Sequence, residues 1–445
     1  MREDVMQKIK NAGVIGAGGA GFPTHAKIST DAKMIIVNGA ECEPLLRVDQ
    51  QLMEEMPQQI IRGLLAMMDA CGAIESIIGI KGKHKEAISR LQQAVAGQPV
   101  RIHVLEDFYP AGDEHVLVYE TTGRLVPQGG IPLQVGCAVV NAETLINIAA
   151  ALDGTPVTDT FLTVTGAVKQ PVTFKLPIGT SVREALALAG QTDLSGVKVI
   201  EGGPMMGKIV DDLDQPITKT TKGLIVLPQE HPLIQKRTMP VSQIVRQTKS
   251  ACIQCRYCTD LCPRYLLGHN IEPHKIMRSI KHIQSQEKIM KMAMVCSECG
   301  LCEQYACLMR LSPRTINAML KQELLKQGLR PDALQKPQEA SKLREQRRVP
   351  VKRLIARLGL NAYDRKAPLT MAENTVRMVE IKLKQHVGAP GSPVVKVGDQ
   401  VRKGDVIAVI PEKALGAQLH ASISGTVTGI SDRITITAME GSGRS

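Results

Sequence analysis

Eight of the eleven cysteines of this 445-residue chain fall into two short runs of nearly equal spacing. In each run, two residues separate each of the first three cysteines, and a fourth cysteine follows after three or four residues. Thiolates at this spacing hold metal ions or iron–sulfur clusters, so these runs are the first candidates for chemistry. The first run is Cys252, Cys255, Cys258 and Cys262, and the second is Cys296, Cys299, Cys302 and Cys307.

Pro263 directly follows the first run and completes the C-x2-C-x2-C-x3-C-P pattern of bacterial two-cluster ferredoxins. In that pattern three cysteines wrap one cluster and the fourth ligates the other. A pair of zinc sites is the alternative, but zinc ribbons need only two cysteines per knuckle. The second run departs from the pattern, since four residues precede its last cysteine and Leu308 stands where the proline would be. The wiring predicts one [4Fe–4S] cluster on Cys252, Cys255, Cys258 and Cys307, and a second on Cys262, Cys296, Cys299 and Cys302.

The three other cysteines, Cys42, Cys71 and Cys137, are isolated and are predicted to be small apolar core residues. The amino terminus lacks the apolar stretch of a signal peptide, so we expect a cytoplasmic protein without a disulfide framework. No apolar run is long enough for a membrane span.

The net charge of +12 raises nucleic acid as a partner, but six Tyr, four Phe and no Trp offer few aromatic rings on which bases could stack. No motif typical of nucleic-acid recognition is present, so no nucleic-acid partner is predicted.

Gly16, Gly18 and Gly21 form a G-x-G-x-x-G motif near the amino terminus. A dinucleotide fingerprint requires a strand before the motif and a helix within it. Here residues 1–13 have a helical pattern, and Pro23 prevents immediate helix entry after the last glycine. The motif therefore predicts a loop whose backbone N–H groups approach a phosphate or a flat ring closely.

Residues 16–27 (GAGGAGFPTHAK) resemble the flavin loop of the FMN- and NADH-binding subunit of respiratory Complex I. They are still more similar to the C subunit of Rnf-type electron-transport complexes. Three further blocks follow in the family's order, at 36–44, 109–114 and 140–145. This resemblance implies one FMN pocket. Its phosphate and ring would be served by Gly16, Gly18, Gly19, Gly21, Phe22 and Lys27, its polar edge by Asn38, Glu41 and Glu43, its opposite wall by Tyr109, Gly112, Asp113 and Glu114, and its phosphate end also by Asn141 and Thr144.

Three positions depart from the Complex I pattern. Ala17 replaces an Arg, Ala40 replaces an Asp, and Val140 replaces the first Asn of an Asn-Asn pair. These departures concern the nicotinamide side of the pocket more than the flavin side.

The helices and strands that must position these residues indicate a multidomain protein of α/β and α+β class. Strand-like 161–168 and 172–176 precede a helix capped by Ser181, and helices are predicted over 272–292 and over 313–325 with Ser312 as N-cap. Residues 395–410 and 420–427 alternate like strands, and no modifiable Lys occupies the hairpin at 421–425, so no lipoyl or biotin attachment is expected. The predicted units are a Complex I FMN-subunit-like α/β domain (1–155), a β-grasp (SLBB) domain (156–230), an α-helical ferredoxin-like domain with two [4Fe–4S] clusters (231–330), a basic helical connector (331–370) and a C-terminal barrel-sandwich hybrid (371–445).

The connector carries a run of basic side chains that we interpret as a solvated face or as a docking patch for an acidic partner. The run comprises Lys342, Arg344, Arg347, Arg348, Lys352, Arg353, Arg357, Arg365 and Lys366.

In this chain the hybrid domain comes last. This domain order resembles that of the cobalamin reductase family of propanediol-utilisation microcompartments. The resemblance implies an oxidoreductase that passes electrons from NADH through FMN and two [4Fe–4S] clusters to a corrinoid, and so supports a B12-dependent diol dehydratase. It also implies a location inside a bacterial microcompartment. The implied partners are a corrinoid or corrinoid-handling protein, a flavodoxin-like carrier and a shell protein. The β-grasp unit is either a corrinoid surface or a structural spacer.

Two alternatives remain open from the sequence. One is an electron-relay subunit of an Rnf-like or microcompartment complex that does not oxidise NADH. The other is a structural zinc protein bound to nucleic acid.

Overall fold

The computed structural model describes residues 2–28, 32–280, 287–332, 338–371 and 376–439. The amino-terminal part is an α/β unit with a parallel four-stranded sheet. Its strands are β1 (Met34–Gly39), β2 (Glu75–Lys81), β3 (Val100–Leu105) and β5 (Cys137–Asn141), and a short β4 (Phe108–Tyr109) lies outside the sheet. The strand order is β3-β2-β1-β5. Alternate residues of β1 pack into two different cores, so both faces of the sheet are buried, as the apolar run in β1 requires.

The amino-terminal unit contains seven helices within the described residues. The helix before the glycine loop is present, and the next helix begins only after Pro23. The Asp113 side chain accepts hydrogen bonds from the amides of His115 and Val116 and so caps the helix that follows it. The helices are α1 (Arg2–Asn11), α2 (Thr24–Ile28), α3 (Val48–Glu55), α4 (Pro57–Cys71), α5 (Lys85–Ala94), α6 (Glu114–Thr122) and α7 (Ala142–Leu152), with a 3-10 turn at Pro132–Val135.

The second unit is a mixed sheet with one helix against it, as predicted for the β-grasp segment. The Ser181 hydroxyl accepts a hydrogen bond from the Glu184 amide at 3.1 Å, which confirms the predicted cap. The elements are β6 (Asp159–Gly166), β7 (Val172–Pro177), α8 (Val182–Leu188), β8 (Val197–Glu201), β9 (Lys208–Ile209) and β10 (Gly223–Pro228). A later strand, β12, extends this sheet beside β7, and the order is β12-β7-β6-β10-β8-β9.

The cysteine-rich segment is helical, and its helices are short. Of the predicted helix over 272–292, the structure gives Pro273–Ser279 and Glu287–Lys291, and residues 281–286 lie outside the described residues. The predicted helix after Ser312 is confirmed, although the Ser312 side chain makes no capping hydrogen bond. The helices are α9 (Pro232–Arg237), α10 (Val241–Ala251), α11 (Tyr257–Asp260), α12 (Pro263–Leu266), α13 (Pro273–Ser279), α14 (Glu287–Lys291) and α15 (Pro313–Lys326), with a 3-10 turn at Met292–Val295 and a π-turn at Cys302–Ala306.

The connector is less helical than predicted. It contains β11 (Val349–Pro350), which pairs with β4, then α16 (Val351–Arg357) and β12 (Leu369–Met371), with 3-10 turns at Glu345–Arg347 and Asn361–Tyr363. The backbone hydrogen bonds of β11 and β12 therefore connect this segment to the amino-terminal α/β unit and to the β-grasp sheet.

Several connector arginines do not form the predicted solvated or docking face. Arg344 and Arg348 both pair with Glu120 of α6, and Arg348 also pairs with Glu106 at 2.7 Å. Arg347 pairs with Asp260, and Arg365 donates to the carbonyl oxygens of Gly166 and Val168. These side chains hold units of the protein together, although Arg365 is itself exposed. Lys342, Lys352, Arg353, Arg357 and Lys366 are exposed as predicted for a solvated face.

The carboxy-terminal unit consists of two small antiparallel sheets around one apolar core. The predicted hairpin is not exposed: Ala421 and Ser422 are buried, and the Ser422 hydroxyl donates to the Ile178 carbonyl oxygen at 2.5 Å. The strands are β13 (Met378–Lys382), β14 (Ser392–Pro393), β15 (Gln400–Val401), β16 (Val406–Val409), β17 (Leu419–His420), β18 (Gly425–Ile430) and β19 (Arg433–Thr437). No helix within the described residues is both long and apolar enough to cross a membrane.

Candidate cofactor sites

A cavity of about 470 Å³ opens at the carboxyl edge of the parallel sheet, and we call it the flavin cavity. Asn38 at the end of β1 and Asn141 at the end of β5 stand side by side in register and reach this edge. Ligands of parallel α/β sheets bind beyond the carboxyl ends of the strands, and ligand pockets commonly occupy about 300–1,000 Å³. The predicted residues that line the cavity are Gly16, Gly18, Gly19, Phe22, Lys27, Asn38, Tyr109, Gly112, Asp113, Glu114, Asn141 and Thr144.

The amino end of α7 and the side chain of Lys27 form one end of the flavin cavity. The Lys27 ammonium donates to the Val139 carbonyl oxygen at 2.6 Å, and Thr144 accepts a hydrogen bond from the Ala17 amide at 2.9 Å. Asn141 occupies the N-cap position of α7 without a side-chain capping bond. A cation and a helix amino terminus together suit a phosphate group.

The glycine loop forms a cradle that larger residues would fill. A methyl group on Gly18 would meet the Asn141 side chain at 3.3–3.4 Å. Gly19 has a φ of +59°, and a methyl group there would meet no atom within 4 Å, so its backbone faces open space. The loop therefore leaves room for a flat ring against bare backbone.

Asp113 and Tyr109 form the opposite wall, where Tyr109 is buried and Asp113 is half-buried. The Asp113 carboxylate pairs with Arg264 at 2.9 Å as well as capping α6. Burial alone would raise the pKa of Asp113. The charges of Arg264 and His115, together with the hydrogen bonds to the carboxylate, lower it by more than burial raises it, so the pKa lies below its usual value. Burial and the nearby Glu43 hold the pKa of Tyr109 well above its usual value. At pH 7 this wall thus presents a carboxylate paired with Arg264 and a neutral phenol.

Three predicted residues do not line the flavin cavity. Gly21 lies against Thr220 and Ile15. The Glu41 carboxylate accepts hydrogen bonds from the amides of Asp49 and Gln50 at the start of α3. The Glu43 carboxylate accepts hydrogen bonds from the amides of Met205 and Met206, at 2.9 and 3.0 Å. Both glutamates are therefore structural supports behind the wall, and burial raises the pKa of each.

The flavin cavity also has lining residues that the sequence did not predict. Cys42 was expected in the core, but it is half-buried and lines the cavity, where burial raises its thiol pKa to about 11. Cys71 and Cys137 are buried core residues, as predicted. Met206, Ser297 and Cys299 reach the cavity from distant parts of the chain, and no local signal could have identified them.

Cys252, Cys255, Cys258 and Cys307 line a second cavity together, and we call them the first cysteine set. Burial, together with the neighbouring thiolates of Cys307, Cys252 and Cys255, raises the pKa of Cys258 to about 12. Gln254 donates to the Cys252 sulfur at 3.1 Å, and the Leu311 amide donates to the Cys307 sulfur at 3.2 Å. Four converging thiols with donors on their sulfurs suit a [4Fe–4S] cluster.

Cys262, Cys296, Cys299 and Cys302 are all buried, and we call them the second cysteine set. Burial raises the pKa of Cys299 above its usual value, and the charges of Cys262 and Cys296 add to this, so these thiols are neighbours. The Glu298 amide and the Asn317 side chain donate to the Cys296 sulfur, at 3.3 and 3.7 Å.

The two cysteine runs share one backbone conformation. Gln254 and Arg256 have φ values of +56° and +70°, and the corresponding Glu298 and Gly300 have +58° and +78°. Left-handed residues at matching places turn each loop around its cysteines in the same way. The difference in spacing before Cys307 leaves this conformation unchanged.

The zinc alternative requires several ligands close to one ion. Over the part of the chain that the structure describes, no three His, Cys, Asp or Glu side chains converge closely enough to hold a single metal ion. In a cubane each cysteine binds a different iron, so the four thiols stand further apart. Each set supplies the four thiolates that one [4Fe–4S] cluster needs.

Four family models match successive parts of the chain. They are the Nuo51 FMN-binding domain over residues 9–150, the SLBB domain over 161–208, a 4Fe-4S dicluster domain over 251–312 and the RnfC barrel sandwich hybrid domain over 362–442. The order of the matched models agrees with the order of the predicted units.

Similar proteins were found both by sequence and by structure. The chain is 44% identical to the cobalamin reductase PduS of Salmonella typhimurium, over 99% of the chain and 97% of the relative. It is 43% identical to the PduS of Citrobacter freundii over the same shares. It is 35% identical to the C subunit of the Na(+)-translocating ferredoxin:NAD(+) oxidoreductase complex of Acetobacterium woodii, over 61% of the chain and 60% of the relative. An NAD+-reducing [NiFe]-hydrogenase structure shares the fold, with a TM-score of 0.50 at 20% identity over 75% of the chain and 64% of that structure.

The fold, the flavin cavity and the matched domains define a flavo-iron–sulfur electron-transfer oxidoreductase with an FMN-binding domain and a two-cluster domain. Identity of 43–44% over almost the whole length then decides the family. The chain belongs to the cobalamin reductase PduS family.

Proposed function

We propose that this chain is an NADH-dependent corrinoid reductase with FMN in the flavin cavity and one [4Fe–4S] cluster on each cysteine set. The names of the two PduS relatives support a corrinoid as the acceptor, with cob(III)alamin and cob(II)alamin as the forms to be reduced. FMN, when bound, supplies the exchange between the two electrons of a hydride and the single electrons that a cubane accepts.

The residues of the flavin cavity divide into two groups by their chemistry. Lys27, Asn141 and the amino end of α7 would hold the phosphate. Gly18 and Gly19 would let the ring lie against the backbone, with Phe22 at the cavity mouth and Asn38 and Asp113 as polar partners. Asn38 itself is held in place, because its amide donates to the Gly112 carbonyl oxygen at 3.0 Å.

The observation that carries the proposal is that Ser297 and Cys299 line the flavin cavity. The second cysteine set therefore shares a wall with the cavity, whereas the lining residues include no member of the first set, whose Cys255 is exposed to solvent. This arrangement supports an electron route that runs from the flavin cavity through the second set and then the first set to the protein surface. A reductase with an external acceptor needs such a route.

An anaerobic absorbance titration of the reconstituted protein tests the proposal. We expect NADH to bleach the flavin band, and hydroxocobalamin added next to restore it while cob(II)alamin and then cob(I)alamin form. The Lys27→Met variant should lose the response together with its FMN, whereas a Lys10→Met variant, changed at an exposed position on α1, should behave as wild type. Absence of bleaching by NADH, with normal bleaching by dithionite, would reject the NADH-dependent reductase.

The second candidate is an electron relay that receives electrons from a protein rather than from NADH. Ala17 and Ala40 favour it, since both are buried and occupy positions where the Complex I pattern has charged side chains. The same titration separates the candidates, because the relay would be reduced by dithionite or by a reduced carrier protein but not by NADH.

We also propose that the protein works inside a bacterial microcompartment, with a shell protein among its neighbours. The similarity of the whole chain to PduS proteins supports this location. Purification of intact compartments tests it: the protein should remain with the shells through washing, and its loss into the wash would contradict the location.

A further inference from the structure

Large apolar side chains are exposed around the first cysteine set, and we call this region the exit surface. Ile253 is 58% exposed, Tyr257 49%, Leu308 57% and Met309 44%. Ile253 and Met309 line the same cavity as the four cysteines, and Tyr257 and Leu308 adjoin residues that do. An exposed apolar patch of this kind marks an interaction site more often than a solvated surface.

The exit surface is also where the cysteines come closest to solvent. Cys255 is exposed, whereas the second cysteine set is entirely buried. Electron transfer to an external protein needs a short path from the cluster, and the exit surface is the face that offers one.

The charges around the exit surface are mainly basic. Lys249 at the end of α10 and Arg310 after the second run are both exposed. The nearby carboxylate of Asp260 already pairs with Arg256 and Arg347, each at 3.3 Å. A partner with an acidic rim would therefore meet an apolar centre and complementary charge, in a chain with a net charge of +12.

We propose that the exit surface docks an acidic one-electron carrier protein, which accepts electrons in addition to the corrinoid. This inference rests on the proposed function for the origin of the electrons. Each encounter transfers one electron and no atom: one NADH yields NAD+ and a proton, and two carrier molecules each gain one electron. An apolar centre with charge at its rim suits a weak and transient redox complex.

The test uses the reconstituted holoprotein and an acidic flavodoxin as the probe, with affinity measured by calorimetry. Wild type should bind the flavodoxin at low ionic strength, and salt should weaken the complex because charged rims are screened. The double variant Lys249→Glu/Arg310→Glu should raise Kd at least tenfold. The matched charge reversal Lys169→Glu/Arg402→Glu, at exposed positions on the β-grasp and hybrid units, should leave Kd within twofold of wild type.

A second variant examines the apolar centre. Leu308→Asn should raise Kd several-fold with little change in its salt dependence, and iron content and dithionite-reduced EPR spectra should show that both clusters remain. Flavodoxin that does not bind wild type, or that binds the double variant equally well, would overturn the docking surface. Binding without any bleaching by NADH would instead leave the docking surface standing and reject the proposed function. Hydroxocobalamin that displaces flavodoxin from wild type would show that the surface serves the small molecule, and would also overturn the inference.

Discussion

The hydroxyl group of Tyr109 donates a hydrogen bond to the carbonyl oxygen of Cys299 at 2.6 Å. Tyr109 lines the flavin cavity, and Cys299 belongs to the second cysteine set, so one buried side chain joins the two sites. Glu43 stands behind it and holds the amides of Met205 and Met206. This contact places the second cysteine set, rather than the first, against the flavin cavity.

Removal of the Tyr109 hydroxyl should destabilise the protein without opening the cavity. In Tyr109→Phe the buried Cys299 carbonyl loses its partner, which costs about 1–3 kcal/mol. We expect a lower denaturation midpoint in urea, with the FMN-to-protein ratio unchanged because the aromatic ring remains.

Tyr119→Phe is the matched control for this prediction. The Arg344 guanidinium carbon lies 4.8 Å from the centre of the Tyr119 ring. This contact involves the ring and not the hydroxyl group, so removal of the hydroxyl should have little effect on stability. A Tyr109→Phe variant as stable as the Tyr119→Phe variant would show that the hydrogen bond to Cys299 is not important.

Lys27 should recognise the phosphate of the flavin rather than its ring. The Lys27→Met variant should bind FMN at least tenfold more weakly, because a charge-assisted contact contributes about 1.5–3 kcal/mol. Its affinity for riboflavin, which has no phosphate, should match that of wild type. Fluorescence titration with the two flavins gives both values, and equal weakening for both would contradict a phosphate role.

Gly19 should be needed for the ligand rather than for the fold. It has a φ of +59°, and Gly72 at the end of α4 has a φ of +71°; an added methyl group meets no atom at either position. Gly19→Ala and Gly72→Ala should therefore lose similar stability, roughly 1 kcal/mol from backbone strain. Only Gly19→Ala should lose FMN, as measured by flavin content after gel filtration, and full retention would contradict the cradle.

Lys219 should make stability depend on pH. It is buried where the amino-terminal, β-grasp and hybrid units meet, and donates to the carbonyl oxygens of Gly13 and Gln418 at 2.7 and 3.0 Å. Burial lowers its pKa to about 7. The unfolded chain keeps this proton until about pH 10.4. Between these values the unfolded state binds more protons, so the free energy of unfolding should rise with pH, by up to about 1.4 kcal/mol per pH unit.

The Lys219→Met variant provides the reference for this prediction. Other groups titrate equally in both proteins, so the difference in thermal midpoint between wild type and variant isolates Lys219. This difference should change in favour of wild type from pH 7 to pH 10. A constant difference would show that the lysine is charged in the folded protein.

Features that depend on local sequence were predicted well. The cysteine spacing indicated two sets of four thiols, and the members of each set are neighbours in the structure. The capped helix after Ser181 and the delayed helix after Pro23 also follow from their immediate neighbours. The segments that the flavin-loop resemblance grouped line one cavity, because the carboxyl ends of parallel strands meet at one edge.

Features that depend on distant partners were not predictable from a single sequence. The connector arginines resemble a solvated charge run, but their partners Glu120 and Glu106 lie more than 200 residues earlier in the chain. Glu43 was assigned to the flavin because of its block, yet its partners Met205 and Met206 belong to the β-grasp unit. Cys42 was expected in the core, and its place in the cavity depends on the approach of Gly112.

The central claim is that electrons pass from the flavin cavity to the second cysteine set and only then to the first. The most direct measurement is freeze-quench EPR of Cys255→Ala and Cys299→Ala holoproteins after mixing with NADH, with dithionite-treated samples to verify the cluster that remains in each. With Cys255→Ala, NADH should still reduce the cluster of the second set. With Cys299→Ala, NADH should bleach the flavin but leave the cluster of the first set oxidised. Rapid reduction of the first set by NADH in the Cys299→Ala protein would contradict the account.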